Sequence, residues 1–328
     1  MKARNNMKIK DKKLIISLFE NSKKSNRQIA KEIQVSKETV ASRINYFLKS
    51  NIIKGFSLKL DYEKLGFTEF NLYIKLKNSN KETYTEIIKY FENHPKVSWI
   101  GKAYGKYDLK VALYSKRTDG INNIIKEISL KFGGNIQTID YLLILDKHKG
   151  YPNLFLENIL DEKIIFNKKI KKPEKKIKLD QIDKSLIYEM GQGEKTGYVK
   201  LSSKFNLTPE AIKYRVKRLE NNNIILGNSI VLNGHKFNKL WSIMLLNIKP
   251  EYMDELKIFL KTKKYLSNFK ETSGIWNFTI KIFANDIKEL HEHINEIREN
   301  FSEHIREQDF LLLLDFYKFP KVPECVKN

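Results

Sequence analysis

The chain has 328 residues, 41% of them hydrophobic and 30% charged, with a formal net charge of +22 (61 basic minus 39 acidic) and one cysteine. That length accommodates about two or three domains of roughly 100 to 200 residues, and the composition excludes a coiled coil, a collagen and wholesale disorder. The strongest apolar run, FLLLLDFY from Phe310, is broken by Asp315, well short of the roughly 18 residues that a membrane span requires.

The lone Cys325 excludes an internal disulfide framework and fits a reducing, cytoplasmic compartment. The opening MKARNNMKIKDKK is basic but has no apolar core, so it does not read as a secretory signal. The positive surplus points to a polyanionic partner, nucleic acid first and an anionic membrane surface second. Its location narrows the choice: residues 1–60 carry 15 Lys/Arg against 4 Asp/Glu, half of the whole excess.

Taken in order, the chain begins with three short helical patterns. Leu14, Ile15 and Leu18 follow Asp11 at helical spacing, then Ile29, Ala30 and Ile33, then Val40, Ile44 and Phe47. Ser36 stands where a side-chain oxygen caps the third helix, so helix, tight turn and helix are specified. Opposite the apolar stripe of the third helix lie Glu38, Ser42, Asn45 and Lys49, with Arg43 at the boundary. With Ser36 and Lys37 at the helix start, these side chains suit base edges and phosphates, as the second helix of a helix-turn-helix requires. The competing reading is a solvated face with Arg43, and its counterpart Arg215 in the second copy, in intraprotein salt bridges. NIIKGFSLKL then reads as a strand or wing around Gly55.

Residues 61–145 follow a different plan. FNLYIKLK alternates like a strand, a helix ends near His94-Pro95, strands begin at Val97 and Asp108, and a second helix and IQTIDYLLIL complete the order β, α, β, β, α, β. That is the ferredoxin-like arrangement. Residues 146–178 read as a basic, solvated linker, with seven lysines and Pro173 among Lys168 to Lys178.

The remainder repeats the beginning. A shift of 172 residues aligns Leu14 with Leu186, Arg43 with Arg215 and Gly55 with Gly227; further on, a shift of 169 aligns Gly105 with Gly274 and Ile136 with Ile305. Residues 179–230 therefore form a second helix-turn-helix, capped by Thr208 before Pro209. Its exposed face carries Glu210, Lys213, Tyr214, Lys217 and Arg218, with Arg215 at the boundary. Residues 231–328 repeat the βαββαβ order.

The fold class is thus α+β: two winged helix-turn-helix domains and two ferredoxin-like βαββαβ domains in tandem. The helix-turn-helix with its "RINYFLKSNIIKGF" or "RVKRLENNNIILG" ending, followed by a βαββαβ domain carrying AYGKYDL, resembles the Lrp/AsnC (feast/famine) transcriptional regulators. The resemblance covers nearly all of both copies. Members of that family usually dimerise through the second, RAM-type domain and bind amino acids or other small effectors between such domains. It implies a double-stranded DNA partner, an internal pseudo-dimer able to assemble further, and an effector contact at the family's Gly-x-Tyr-Asp motif, here Gly105, Lys106, Tyr107 and Asp108. Tyr107 and Asp108 read equally well as a structural pair at a sheet turn. The second copy has Gly274, Ile275, Trp276 and Asn277 instead.

The same architecture also resembles the siroheme decarboxylases, which place two such units around a tetrapyrrole; Trp276-Asn277 is similar to that group. The chain shows no His or Arg cluster suited to several porphyrin carboxylates. It contains no GxxxxGK[ST], HExxH, CxxC or GxSxG, and His291, His293 and His304 form no ligand spacing. The expectation is a non-enzymatic regulator with no catalytic residues, metal or cofactor and no membrane partner.

Overall fold

The computed structural model describes residues 7–77, 80–116, 119–149, 178–237 and 239–327. Most of the expected basic linker, 146–178, and the first six residues lie outside the described residues. The first half runs α1 (Ile9–Glu20), α2 (Asn26–Ile33), α3 (Lys37–Lys49), β1 (Ile53–Leu60), β2 (Thr68–Leu76), α4 (Lys81–Asn93), β3 (Val97–Gly105), β4 (Leu109–Ser115), α5 (Asp119–Phe132) and β5 (Ile136–Lys149). The second half runs α6 (Gln181–Met190), α7 (Tyr198–Phe205), α8 (Pro209–Asn221), β6 (Ile225–Leu232), β7 (Leu240–Ile248), α9 (Met253–Lys261), β8 (Leu266–Ser273), β9 (Phe278–Ala284), α10 (Ile287–Phe301) and β10 (Ile305–Lys318).

The chain divides into two units that gather like with like. One comprises Met1–Gly66, Asn158–Lys236 and Pro320–Asn328, and the other Phe67–Glu157 and Phe237–Phe319. Several edges differ from the sequence reading: the boundaries expected after residues 60 and 230 fall at Gly66 and Lys236. Strand β5 continues to Lys149, into the segment expected as linker. Residues from Pro320 onward, expected with the second βαββαβ domain, fold with the helix-turn-helix unit: the Val322 amide donates to Gly191 O at 3.1 Å, and Val322 and Val326 are buried.

In the first unit the two helix-turn-helix motifs match in detail. Left-handed residues end α2 and α7 at Gln34 (φ 55°) and Asn206 (φ 53°), and follow α3 and α8 at Asn51 (φ 58°) and Asn223 (φ 53°). Non-glycine residues adopt this region rarely, so its recurrence at the 172-residue shift marks the same turn built twice. Strands β1 and β6, expected as wings, pair with each other. Ser57 sits opposite Ser229, Gly55 opposite Val231, and Lys59 opposite Gly227 in one antiparallel ribbon. Because Ser229 is itself the counterpart of Ser57, the register has a local two-fold at that pair.

In the second unit eight strands close into a barrel in the order β10-β3-β4-β2-β5-β8-β9-β7. Each half is a ferredoxin-like sheet, β5-β2-β4-β3 or β10-β7-β9-β8, and the halves join edge to edge at β5–β8 and β10–β3. Closure removes the unpaired edges that each half-sheet would otherwise present. Alternation along the strands splits the core. Leu109, Val111 and Leu113 face α4 and α5, and Ile280 and Ile282 face α9 and α10, whereas Tyr73, Leu142, Ile243, Leu245, Leu311 and Leu313 share the barrel interior.

Candidate nucleic-acid interface

Helix α3 starts where Ser36 Oγ accepts the Thr39 amide at 3.0 Å, and α8 where Thr208 Oγ1 accepts the Ala211 amide at 3.2 Å, with Pro209 at the first helical position. Both hydroxyls are therefore helix caps first. Val40 and Phe47 in α3, and Ile212, Val216 and Leu219 in α8, are buried and fix which face turns outward. That face presents Lys37, Ser42, Asn45 and Lys49 on α3 and Lys213, Tyr214 and Lys217 on α8, all exposed. Tyr46, 53% exposed, joins the first group, and Tyr214 is 68% exposed in the second. The sequence reading omitted Tyr46, although its spacing of four from Ser42 and three from Lys49 puts it on the same stripe.

The boundary arginines behave differently. Arg215 pairs through Nη1 with Asp180 at 2.7 Å and with Asp183 at 2.8 Å, and Arg218 also binds Asp183, whose side chain is fully buried. Burial opposes ionisation of Asp180, but the Asp183 amide and Arg215 hold its carboxyl below the usual aspartate value. Arg43 makes the equivalent contact with Asp11 at 3.3 Å and keeps 37% side-chain exposure. Asp11 and Asp183 are 172 residues apart, like Arg43 and Arg215. Arg215 and Arg218, expected on DNA, here brace the first and third helices of their motif, and Arg43 does the same in the first copy. A second link joins the first two helices: Ser17 Oγ donates to Glu32 Oε2 at 2.6 Å, and Lys204 meets Glu189 at 2.6 Å at the same positions of the repeat.

In the barrel unit, the four expected effector residues each make structural contacts. Gly105 has φ +133°, and a Cβ there would lie 2.5 Å from Phe310 O across the β3–β10 seam. Gly274 repeats this at the other seam, 2.7 Å from Tyr141 O. Asp108 Oδ2 accepts the Leu76 amide at 2.8 Å and Oδ1 accepts Lys75 at 3.1 Å. Asn277 does the same work, accepting the Ile248 amide at 3.0 Å. Tyr107, buried, donates to Asp140 at 2.5 Å, and Lys106 lies 4.7 Å above the Trp276 ring. Burial first, and then the bond to Asp140, push the Tyr107 phenol above its usual range. None of the four lines the groove of about 480 Å³ beside β5 and β8; their counterparts Gly274 and Ile275 do, with Asn122, Asp140 and Ser273.

Comparison with known proteins fits this geometry. Residues 7–54 match the winged helix-turn-helix DNA-binding family model. An uncharacterised helix-turn-helix transcriptional regulator of Pyrococcus abyssi is 32% identical over 118 residues, covering 36% of this chain and 79% of the relative. The leucine-responsive regulatory protein of Haemophilus influenzae is 30% identical over 129 residues, covering 38% of this chain and 78% of the relative. The chain belongs to the Lrp/AsnC family of transcriptional regulators. An Lrp-type relative therefore spans less than half of this Lrp/AsnC chain. A solved siroheme decarboxylase matches over 96% of this chain and 94% of its own at a TM-score of 0.63, with 10% sequence identity, a likeness of fold. Helix α3 lies inside the matched residues 7–54.

Proposed function

We propose that this Lrp/AsnC protein is a sequence-specific regulator that binds double-stranded DNA as a single-chain pseudo-dimer. The observation that carries the reading is the β1–β6 register, whose local two-fold relates two helices with exposed polar and basic faces. A two-fold pair of recognition helices calls for two half-sites spaced by about one helical turn, 10 to 10.5 base pairs, or a multiple of it. The halves are not equal. Residues 1–60 carry a surplus of eleven positive charges (15 minus 4), and residues 179–230 a surplus of two (8 minus 6). The first half therefore supplies most phosphate neutralisation, the second half reads with fewer contacts, and the operator is an imperfect palindrome.

An amino-acid effector, as the family takes, would find the groove beside β5 and β8 suited to it: Asp140 and Asn122 offer polar contacts, while Phe70, Ile139 and Leu143 accept an apolar side chain. The reading is of a regulator and not an enzyme, because relatives at 30% identity or more are regulators, whereas the decarboxylase likeness stands at 10% identity. The test is selection of bound fragments from random duplex DNA, followed by anisotropy titrations at several salt concentrations. Expected is a bipartite site bound with a steep salt dependence. Binding without sequence preference, or to a single half-site with no gain from the second, sinks the reading.

A further inference from the structure

The barrel interior carries charge that neither its fold nor DNA binding calls for. Lys110 on β4 and Lys281 on β9 lie on the strand faces opposite the helix-packed residues Leu109, Val111, Ile280 and Ile282, and so point inward. Strands β4 and β9 are four places apart in the eight-strand ring, so the two lysines approach from opposite walls. Lys110 Nζ lies 5.6 Å from the Tyr73 ring centroid and 5.5 Å from that of Trp99; Lys281 Nζ lies 4.2 Å from that of Trp241. Among the described residues, neither amine has a carboxylate partner.

The carboxylate within reach is already committed. Glu69 accepts Lys147 and Lys270 at 2.6 Å each, the Tyr114 hydroxyl at 3.0 Å and the Asn71 amide at 3.2 Å. Glu69 is thus committed to Lys147 and Lys270. Asn71, 1% exposed, keeps its Oδ1 buried without a donor. A merely filled interior does not need these groups, as the repeat itself demonstrates. The counterpart of Lys110 is Thr279, that of Lys281 is Ala112, that of Lys270 is Gly101, that of Asn71 is Ile243 and that of Glu69 is Trp241. Both halves carry inward lysines, at positions where the other half has a neutral side chain.

We infer that the barrel interior binds a small organic carboxylate, its negative charge held between the amines of Lys110 and Lys281 and its apolar body set among Trp99, Trp241 and Tyr73. Unpaired charge inside a closed barrel is costly, and a bound anion offsets that cost. The closed wall of strands admits no duplex, which separates this ligand from DNA. The aromatic lining favours a carbon skeleton over a bare inorganic ion. Burial lowers both amines below the usual lysine range, Lys281 to about 7 with Lys270 adding to the effect. A bound carboxylate restores their charge, so binding above neutral pH draws a proton from solvent. The inference uses only side chains of the barrel unit and stands or falls apart from the DNA reading.

The experiment is calorimetric titration of the full-length protein at pH 8, in Tris and in HEPES, with benzoate, phenylpyruvate, indole-3-acetate, succinate and inorganic phosphate. At least one carboxylate should saturate a single site, with a buffer-dependent heat that reports proton uptake. Lys110→Thr and Lys281→Ala each install the residue that the other half already accommodates, and each should weaken that binding tenfold or more while leaving DNA affinity unchanged. Tryptophan fluorescence confirms that the barrel of each variant is folded. Failure of all four carboxylates to saturate overturns the inference, as does undiminished binding to the double variant. Phosphate binding as tightly as the best carboxylate overturns the organic class of ligand.

Discussion

Replacing Asp183 by Ala tests the reassignment of the boundary arginines. Asp183 is fully buried, bonds to Arg215 and Arg218, and completes a capping box by accepting the Asp180 amide at 3.2 Å. Removing one partner of a buried ion pair costs about 3 to 5 kcal/mol, and losing a cap contact adds about 1 kcal/mol. Arg215 and Arg218 keep 21% and 33% side-chain exposure and recover part of their hydration, so the expected loss is about 3 kcal/mol. The matching Asp11→Ala removes one 3.3 Å pair with an arginine that is 37% exposed, and should cost only about 1 kcal/mol. The assay exploits where the tryptophans sit. Trp99, Trp241 and Trp276 all belong to the barrel unit, so fluorescence follows the barrel while circular dichroism at 222 nm also follows the helix-turn-helix unit. In urea, Asp183→Ala should lower the helical midpoint by about 1 M or more with the fluorescence midpoint unmoved. An unmoved helical midpoint would refute the brace; so would an Arg215→Ala protein of undiminished stability whose DNA affinity loses one phosphate contact from its salt slope.

The other expectations concern the exposed faces and the barrel. Lys213→Ala with Lys217→Ala should reduce the slope of log affinity against log salt by about 1.8, near 0.9 per lost phosphate contact; an unchanged slope places neither lysine on the backbone. Asn45→Ala should cost about 1 to 3 kcal/mol on the selected operator and almost nothing on random duplex, as competition binding will tell. Gly105→Ala combines φ +133° with a 2.5 Å approach to Phe310 O, and should lower the barrel's fluorescence-detected stability by about 1 to 3 kcal/mol. Lys281, held at about 7 by burial and by Lys270, binds fewer protons folded than unfolded between about pH 7 and the ordinary lysine range, so barrel stability should rise with pH across that window. Lys281→Ala should raise stability at pH 7 and flatten that rise; a profile identical to the parent's contradicts the burial argument.

The repeat made most of the architecture legible. Shifts of 172 and 169 residues predict the same element order twice, and Ser36 and Thr208 cap the helices their spacing promised. The arginines were left between two readings because a helical wheel assigns Arg43 and Arg215 to a boundary, where solvent and a neighbouring helix compete equally. The deciding signal was present in the alignment of Asp11 with Asp183, each an acid in the first turn or so of its first helix. The inward lysines were invisible for a different reason. FTIKIFA reads as a strand with one solvated cation, and only closure of the barrel turns that face inward. The β1–β6 pairing was likewise out of reach, since local propensity specifies a strand and not its neighbour.

That ribbon also fixes how the protein answers dilution. Both strands belong to one polypeptide, so its two reading heads meet at an effective concentration set by the intervening chain and not by the number of molecules in the cell. On the proposed reading, the two heads stay matched one to one within each chain at any protein concentration, and each can drift toward its own half of an unequal operator.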